Sequence, residues 1–202
     1  MARSPSSPKP SARDRIMQAA SALFYQDGVH NVGIDRIIAA SGVAKMSLYN
    51  HFKSKDALIA AWLQQRDANW RDWFQTAVET QATAPADRLL AIFDVLAAWF
   101  AQPDFRGCAF INASVELVDP DHPGYQVAIA HQQAIYDYIL HLVQAAGIDN
   151  PEKVAEQWLL LVEGAIVVAM MRRSADAAAH AKAAAAILMQ AAAPGRPSDA
   201  GG

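Results

Sequence analysis

The residues best suited to chemistry lie close together near the N-terminus. Polar, cationic and aromatic side chains are interleaved there, and they are Lys45, Met46, Ser47, Tyr49, Asn50, His51 and Lys55. Amide and hydroxyl groups can read the edges of bases, and lysine ammonium groups can bind phosphate. Leu48 and Phe52 interrupt this set at the spacing of one apolar helix face. The pattern predicts a short helix that buries two residues and exposes a surface suited to nucleic acid.

The distribution of charge agrees with this interpretation, although the net charge of the 202-residue chain is −3. Residues 1–60 contain eight Lys and Arg against four Asp and Glu, whereas residues 61–202 contain nine against sixteen. Local charge governs the release of counterions from a polyanion. The charge pattern therefore allows a basic N-terminal part to meet nucleic acid while an acidic remainder stays away from it.

The elements that must position these residues are three short helices. Apolar spacing predicts helices over 12–26, 34–41 and 44–51, with a tight turn at Gly42 between the last two. A glycine permits the positive φ that such a corner requires, and Val43 is expected to fill the wedge between the helices. This is a helix-turn-helix, whose second helix enters the major groove. Ser54 is predicted to cap a long fourth helix, whose N-terminus offers an anion site that Lys55 would reinforce.

The run from Ile37 to Leu58 resembles the DNA-binding signature of the TetR family. Its features are glycine-valine at the turn, leucine-tyrosine-x-histidine-phenylalanine at the end of the third helix, and serine-lysine-acid-x-leucine at the start of the fourth. The resemblance covers roughly residues 12–62. It implies that residues 45–47, 49 and 50 face the groove, while His51 and Lys55 meet the backbone. Departures are mild: Ile38 and Ser41 stand where the family usually has alanine, and Ser47 where threonine is frequent.

The rest of the chain is predicted to be helical as well, which gives an all-α protein of about nine helices. Helices are expected over 86–100, 108–117, 125–146, 151–173 and 175–193, and Asn150 is expected to cap the fourth of these. The predicted organisation is an N-terminal three-helix DNA-binding domain joined to a larger helical ligand-binding and dimerisation domain. Its boundaries are a disordered basic tail at 1–11, the helix-turn-helix at 12–55, the helical domain at 56–193 and a disordered tail at 194–202.

The family resemblance also implies partners for this domain. The last two long helices would pair with their copies in a homodimer, which matches a palindromic operator in double-stranded DNA. Alanine and glycine at 163–171 and 177–186 permit close helix approach, although an alanine-rich stretch is also simply a good helix former.

The remaining helices would enclose a cavity for a small-molecule effector of unknown identity. Candidate ligand-binding residues are polar or aromatic side chains among apolar ones, because a small-molecule site combines a few polar groups with apolar walls. Aromatic residues at helical spacing pack into a core more often than they bind a ligand. The candidates are Trp99, Phe100, Phe105, Cys108, Phe110, Asn112, Glu116, Tyr125, Trp158, Glu163 and Met170.

Cys108 has two interpretations. It follows Arg106 at the start of a helix, a setting that lowers the pKa of a thiol and would suit a redox sensor. The alternative is a small buried hydrophobic residue, which is the commoner case. A metal site among the acidic residues of 116–122 lacks a helical histidine pair, so a solvated turn is the better interpretation.

An enzyme is the main alternative class. It would have to use Cys108 or Ser114 as nucleophile and His122 or His131 as base, but no nucleophile elbow, phosphate loop or metal motif accompanies them. We therefore expect no catalytic activity and no cofactor. A second alternative is a helix-turn-helix regulator whose helical domain responds to a protein partner or to thiol oxidation.

A membrane location is not expected. The apolar stretch 158–171 is interrupted by Glu163 and Gly164 and falls short of the roughly 20 residues of a membrane span. The first residues lack the apolar segment of a secretory signal, and a single cysteine excludes an intrachain disulfide. The expected protein is a cytoplasmic repressor, released from its operator when a ligand tilts the fourth helix and changes the separation of the two recognition helices.

Overall fold

The computed structural model describes residues 9–192, and within that range the chain forms nine α-helices and no β-strand. The helices are α1 (Ala12–Asp27), α2 (Ile34–Ser41), α3 (Lys45–His51), α4 (Lys55–Gln81), α5 (Pro85–Phe100), α6 (Ala109–Glu116), α7 (Pro123–Ala145), α8 (Pro151–Arg172) and α9 (Asp176–Ala191). The predicted all-α class is confirmed. The predicted tails lie outside the described residues, except for residues 9–11.

Local capping chemistry accounts for several helix ends. The Ser11 side chain accepts a hydrogen bond from the Asp14 amide, and the Asp14 carboxylate accepts one from the Ser11 amide, both at 3.1 Å. This reciprocal box begins α1. The prediction that Asn150 caps α8 with its side chain is wrong. Asn150 precedes α8, but its φ of 53° is left-handed and its side chain makes no capping hydrogen bond. Pro151 in the first turn is found as predicted.

The chain divides into two compact units, and the first comprises the described residues up to Gln65 together with 112–128. Its core includes Ile16, Phe24, Leu48 and Leu58, each at most 2% exposed. The Trp62 ring packs on Phe24 with centroids 5.3 Å apart. This shared core holds α1, α2 and α3 against the first turns of α4.

Residues 112–128 belong to the first unit by specific contacts. The Glu116 carboxylate accepts a hydrogen bond of 2.7 Å from the His30 backbone amide. Gly28, with a φ of +84°, lies so close that a Cβ there would be 2.7 Å from Glu116 Oε1. The His122 ring lies 3.2 Å from the Asp56 carboxylate. The sequence-based boundaries place this segment in the second domain, whereas packing groups it with the first; the functional division at residues 55 and 56 stays a prediction.

The second unit comprises 66–111 and the described part of 129–202. Its core includes Phe93 and Trp158, which are 1% and 0% exposed. The Trp158 indole N–H donates to the Leu89 carbonyl at 3.2 Å. Ala178 and Ala185 of α9 are almost completely buried, and Lys182 forms an ion pair of 2.6 Å with Asp94 of α5. The alanines therefore serve as a close-packing face within the unit as well as favouring a helix.

Among the described helices, α8 has the length and hydropathy of a membrane span, because an 18-residue window of it has a mean hydropathy of 1.7. The sequence-based expectation considered residues 158–171 alone, and the longer helix in which they lie meets the criteria of length and composition. The buried side of the same helix contributes Trp158, Val162 and Ile166 to the core of the second unit. A core helix of this kind meets the same two criteria as a membrane span, so the criteria do not distinguish them.

Candidate DNA-binding surface and effector site

The turn of the helix-turn-helix is fixed by backbone and side-chain hydrogen bonds. Gly42 adopts the left-handed conformation with φ 63°, and its N–H donates to the Ile38 carbonyl at 3.0 Å. Arg15 of α1 donates from Nη1 to the carbonyls of Ser41 and Gly42 at 3.4 and 3.3 Å. This contact of Arg15, which the sequence reasoning missed, ties the turn to the first helix.

Helix α3 separates a buried face from an exposed one. Leu48 is completely buried and Phe52 is 4% exposed, so both anchor the helix from below. Met46 is 72% exposed and Tyr49 is 37% exposed. Of the other predicted contact residues, Lys45, Asn50 and His51 are exposed and Ser47 is half-buried. The structure thus brings these side chains onto one accessible helix; their contact with DNA stays a prediction.

The ammonium group of Lys45 is held only weakly by the protein. Its Nζ lies 3.4 Å from Asp35 Oδ1, and the two side chains are 64% and 87% exposed. Exposed pairs of this kind contribute about 0–1 kcal/mol, so a phosphate can replace the carboxylate at little expense. By contrast, Arg36 forms a shorter ion pair of 2.7 Å with Asp27. Lys45 is therefore the more weakly paired of these two cations, and its contact with DNA stays a prediction.

The start of α4 is capped as predicted. Ser54 Oγ accepts a hydrogen bond of 3.0 Å from the Ala57 amide. Lys55 is half-buried, and its Nζ donates to the His30 carbonyl at 3.4 Å. The expected anion site at this helix end would therefore use the amides that Ser54 leaves unoccupied, and it stays a prediction.

The second unit contains a group of touching aromatic rings that we name the aromatic cluster. Its rings contact one another with centroids between 3.6 and 6.1 Å apart, and its members are Trp70, Trp73, Phe74, Trp99, Phe100, Phe105, Phe110, His131 and Tyr138. Trp70 is central, because it contacts Phe74, Trp99 and His131. Offset and edge-to-face pairs of this kind are favourable arrangements for aromatic rings.

Charges within the cluster are compensated. Arg71 donates two hydrogen bonds to Asp67, at 2.8 and 2.7 Å, and His131 Nδ1 lies 2.7 Å from Asp67 Oδ1. Burial raises the pKa of Asp67, but the hydrogen bonds from Arg71 and His131 outweigh it and leave that pKa below its usual range. Burial lowers the pKa of His131 despite its carboxylate partner. The imidazole is therefore neutral near pH 7.

Two polar atoms of the cluster have no hydrogen-bond partner within the described protein. They are the indole nitrogen of Trp70 and the hydroxyl oxygen of Tyr138, and both atoms are buried. Burial raises the pKa of Tyr138 to about 12, so the hydroxyl keeps its proton. Both groups are therefore available as donors.

Comparison with known proteins covers both units. Residues 16–62 match the family described as bacterial regulatory proteins, TetR family, and residues 85–185 match the tetracyclin repressor-like C-terminal domain. The chain belongs to the TetR family. The crystal structure of a TetR-family transcriptional regulator from Streptomyces coelicolor superposes with a TM-score of 0.83 at 31% identity, over 90% of this chain and 95% of that one.

Curated relatives of this chain are also transcriptional regulators. The regulator YjdC of Escherichia coli is 25% identical over 76% of this chain and 81% of its own length. The repressor DhaR of a Mycobacterium strain is 32% identical over 58% of this chain and 54% of its own length. The chain is thus a DNA-binding transcriptional regulator of the TetR family, and its relatives are regulators rather than enzymes.

The structure of this TetR-family chain distributes the eleven predicted ligand residues between the two units. Four are members of the aromatic cluster: Trp99, Phe100, Phe105 and Phe110. Four more belong to the second unit outside the cluster: Cys108, Trp158, Glu163 and Met170. Three belong to the first unit: Asn112, Glu116 and Tyr125. The predicted set is therefore not one cluster, and its assignment to a ligand stays a prediction.

Individual members of the set have identifiable packing roles. Burial raises the pKa of the Cys108 thiol, which is opposite to the requirement of a reactive thiolate. Burial also raises the pKa of Glu163, whose carboxylate accepts a hydrogen bond of 2.9 Å from Gln132. The Met170 side chain packs directly against Gly107.

Sequence reasoning missed five cluster members as ligand candidates, namely Trp70, Trp73, Phe74, His131 and Tyr138. Trp70 and Phe74 are four residues apart on α4, and such pairs meet on one helix face. That spacing could have indicated a ring pair. No local signal indicates the contact of His131 with Asp67, because 64 positions separate them.

Proposed function

We propose that this chain is a repressor that binds a palindromic operator as a homodimer and leaves it when a small molecule binds. The observation that carries the proposal is the division of α3 into an anchored apolar face and an exposed polar one. Leu48 is 0% exposed and Tyr49 is 37% exposed, although they are adjacent in the chain. A helix that packs against the core through one face can enter the major groove with its opposite face.

The proposed contacts follow from side-chain chemistry. Asn50 and Ser47 offer groups that can hydrogen-bond to base edges, and Met46 offers an apolar contact for a thymine methyl. Lys45, His51 and Lys55 are the proposed phosphate contacts, together with the hydroxyl of Tyr49. These contacts are local to one subunit, and one α3 reads one half-site.

The proposed dimer uses α8 and α9. Leu160 and Met171 of α8 are 69% and 75% exposed, and Ile187 of α9 is 67% exposed. Gly164 lies between the two α8 residues, and a Cβ there would meet no atom within 4 Å. Exposed apolar residues beside a small one allow two helices from a second copy to approach closely. Two half-sites one helical turn apart, about 34 Å, would then match the twofold symmetry.

Release by a ligand is proposed for the second unit, where the aromatic cluster lies. Among the curated relatives, DhaR is named a repressor, whereas FasR of Mycolicibacterium smegmatis, at 31% identity over 65% of this chain, is named an activator. We favour repression because an exposed α3 occupies operator DNA without needing an effector. A ligand would then act by favouring a conformation in which the two copies of α3 no longer fit both half-sites.

Selection of bound duplexes from a random pool tests this proposal. We expect an enriched palindrome whose half-site centres are about one helical turn apart, bound by two copies of the chain. The variant Tyr49→Ala should bind the enriched duplex roughly tenfold more weakly, because it loses a hydrogen bond to a charged acceptor. Its oligomeric state should be unchanged, since α3 is separate from α8 and α9 in the chain.

Three outcomes would contradict the proposal. A chain that enriches no duplex at low ionic strength is not an operator-binding protein of the proposed kind. An enriched site without internal symmetry, bound by one copy, would contradict the dimer. Transcription from a promoter carrying the selected site that rises when the regulator is added would indicate an activator.

A further inference from the structure

The chemistry of the effector can be inferred from the buried donors of the aromatic cluster, and this inference rests on the proposed function of the second unit. Among the described residues, the buried side-chain nitrogen and oxygen atoms without a hydrogen-bond partner are Trp70 Nε1 and Tyr138 Oη. Both rings contact the same residue, Phe74, at 4.7 and 6.1 Å between centroids. The two residues with unpartnered groups therefore flank the same ring.

Other tryptophans of the chain show that this arrangement is specific to the cluster. The Trp158 N–H donates to the Leu89 carbonyl at 3.2 Å, and the Trp62 N–H donates to Ser21 Oγ at 3.2 Å. A buried donor without an acceptor is unfavourable, and native proteins rarely leave one in place. Trp70 differs in this respect from Trp158 and Trp62, and an acceptor supplied by a bound molecule would satisfy its N–H.

The surroundings of these donors define the shape and charge of such a molecule. Trp99 and His131 contact the Trp70 ring edge-on, each with centroids 5.5 Å away, so the Trp70 indole has aromatic neighbours. Asp67, which contacts His131, is already held by Arg71 and His131, and the charges of Glu79 and Arg88 act on the Tyr138 hydroxyl in opposite directions. No uncompensated charge in this group calls for a charged ligand, and burying an unpaired charge would be strongly unfavourable.

We propose that the effector is an uncharged aromatic molecule with acceptor oxygens, of the aryl ketone type. One oxygen accepts a hydrogen bond from the Trp70 indole N–H, and the Tyr138 hydroxyl donates to a second acceptor of the ligand. The ligand's ring stacks within the aromatic cluster. Binding then satisfies donors that are unpartnered in the protein alone, so the bound conformation is favoured over the unbound one.

The experiment compares three probes of similar shape on the full-length chain by titration calorimetry. The probes are 2-acetylnaphthalene, which has an acceptor oxygen, 2-ethylnaphthalene, which has none, and 2-naphthoate, which is charged. We expect the ketone to bind roughly five- to tenfold more tightly than the hydrocarbon, which is the usual effect of one hydrogen bond. The carboxylate should bind more weakly than the ketone.

Variants then assign the donors. Trp70→Phe and Tyr138→Phe keep an aromatic ring but remove the N–H or the O–H. Because the probe ketone has a single oxygen, the variant that removes the donor to that oxygen should reduce the ratio of ketone to hydrocarbon affinity. Using the ratio cancels changes of shape that affect both probes alike. Tyr136→Phe is the matched control, because Tyr136 lies on α7 two residues from Tyr138 and is not a member of the aromatic cluster. It should leave the ratio unchanged.

The melting temperature without ligand shows whether each variant is folded. Tyr138→Phe removes an unpartnered buried group and should leave the melting temperature unchanged or raise it. A lower melting temperature would show that the hydroxyl already has a structural partner, and this would overturn the proposal.

Three other results would also overturn the proposal. The ketone and the hydrocarbon could bind equally tightly, or none of the three probes could bind. The ratio of ketone to hydrocarbon affinity could also persist in both donor variants. Binding of the selected operator duplex, measured on the same protein, shows whether the effector proposal or the proposed function has failed. A chain that binds the duplex but shows no preference for the ketone remains a regulator with a different effector. A chain that binds the ketone but no duplex contradicts the proposed function.

Discussion

The two units of this molecule use exposed and buried residues in opposite ways. In the first, the candidate contact residues of α3 are on the outside, and the residues that hold the helix, such as Leu48, are inside. In the second, the candidate ligand residues are themselves core residues, since Trp99 and Phe110 are 7% and 5% exposed. In the proposed function, packing and binding are therefore separable in the first unit and combined in the second, and substitutions should reveal this difference.

The largest effect is expected from Leu48→Ala. Leu48 is completely buried, and removing a buried leucine side chain lowers the free energy of unfolding by about 2–5 kcal/mol. Urea unfolding followed by circular dichroism measures this change, and duplex binding should be lost with it. Met46→Ala on the same helix is the control, with a change within about 0.5 kcal/mol. Similar losses of stability in both variants would contradict the two-faced description of α3.

A smaller effect is expected from Glu116→Ala, which tests the membership of residues 112–128 in the first unit. The variant removes the acceptor of the His30 amide, which lies 2.7 Å from the carboxylate, and should lower the free energy of unfolding by about 1 kcal/mol. Hydrogen exchange should accelerate at the His30 amide. Glu116→Gln keeps an acceptor oxygen and should retain most of the protection. Unchanged exchange in the alanine variant would show that this contact does not join the segment to the first unit.

A pH-dependent effect is expected in the second unit. Burial lowers the pKa of His131 below its ordinary value, and Arg71 and Arg66 act in the same direction. The folded protein therefore binds fewer protons at this residue than the unfolded chain does. Its stabilising contribution is present above the unfolded pKa, about 6.5, and is lost as the pH falls from there towards the lower folded pKa.

His131→Asn tests that expectation, because it keeps a donor for Asp67 but does not titrate. Urea unfolding at pH 7.5 and 5.5 should show a larger loss of stability in the parent chain than in the variant. Equal losses would mean that the burial of His131 is not linked to folding in this pH range.

The smallest effect is expected at Cys108. Burial raises the pKa of its thiol, so little thiolate is present near pH 7 and oxidation should be slow. Peroxide treatment should leave duplex binding unchanged in the parent chain, as in the variant Cys108→Ala. The thiol should react with a disulfide reagent much faster in urea than in the native protein. A peroxide response that the alanine variant loses would favour the redox interpretation instead.

Local sequence determined most of the first unit. Gly42 stands where the turn needs a left-handed residue, and Leu48 and Phe52 repeat at the spacing of a buried helix face. Ser54 precedes α4 and caps it. Each of these features depends on residues within about four positions of one another, and such short-range patterns are legible in a sequence. For the same reason the all-α class and the approximate helix bounds could be predicted.

Only the tertiary structure decided the contacts between distant residues. Arg15 reaches the turn carbonyls across 26 positions, and His30 meets Glu116 across 86. His131 meets Asp67 across 64 positions. Periodicity reports which face of a helix is apolar, but it does not report which other helix that face meets. The placement of 112–128 in the first unit and the assembly of the aromatic cluster therefore depended on packing, which satisfies the buried surfaces of several helices at once.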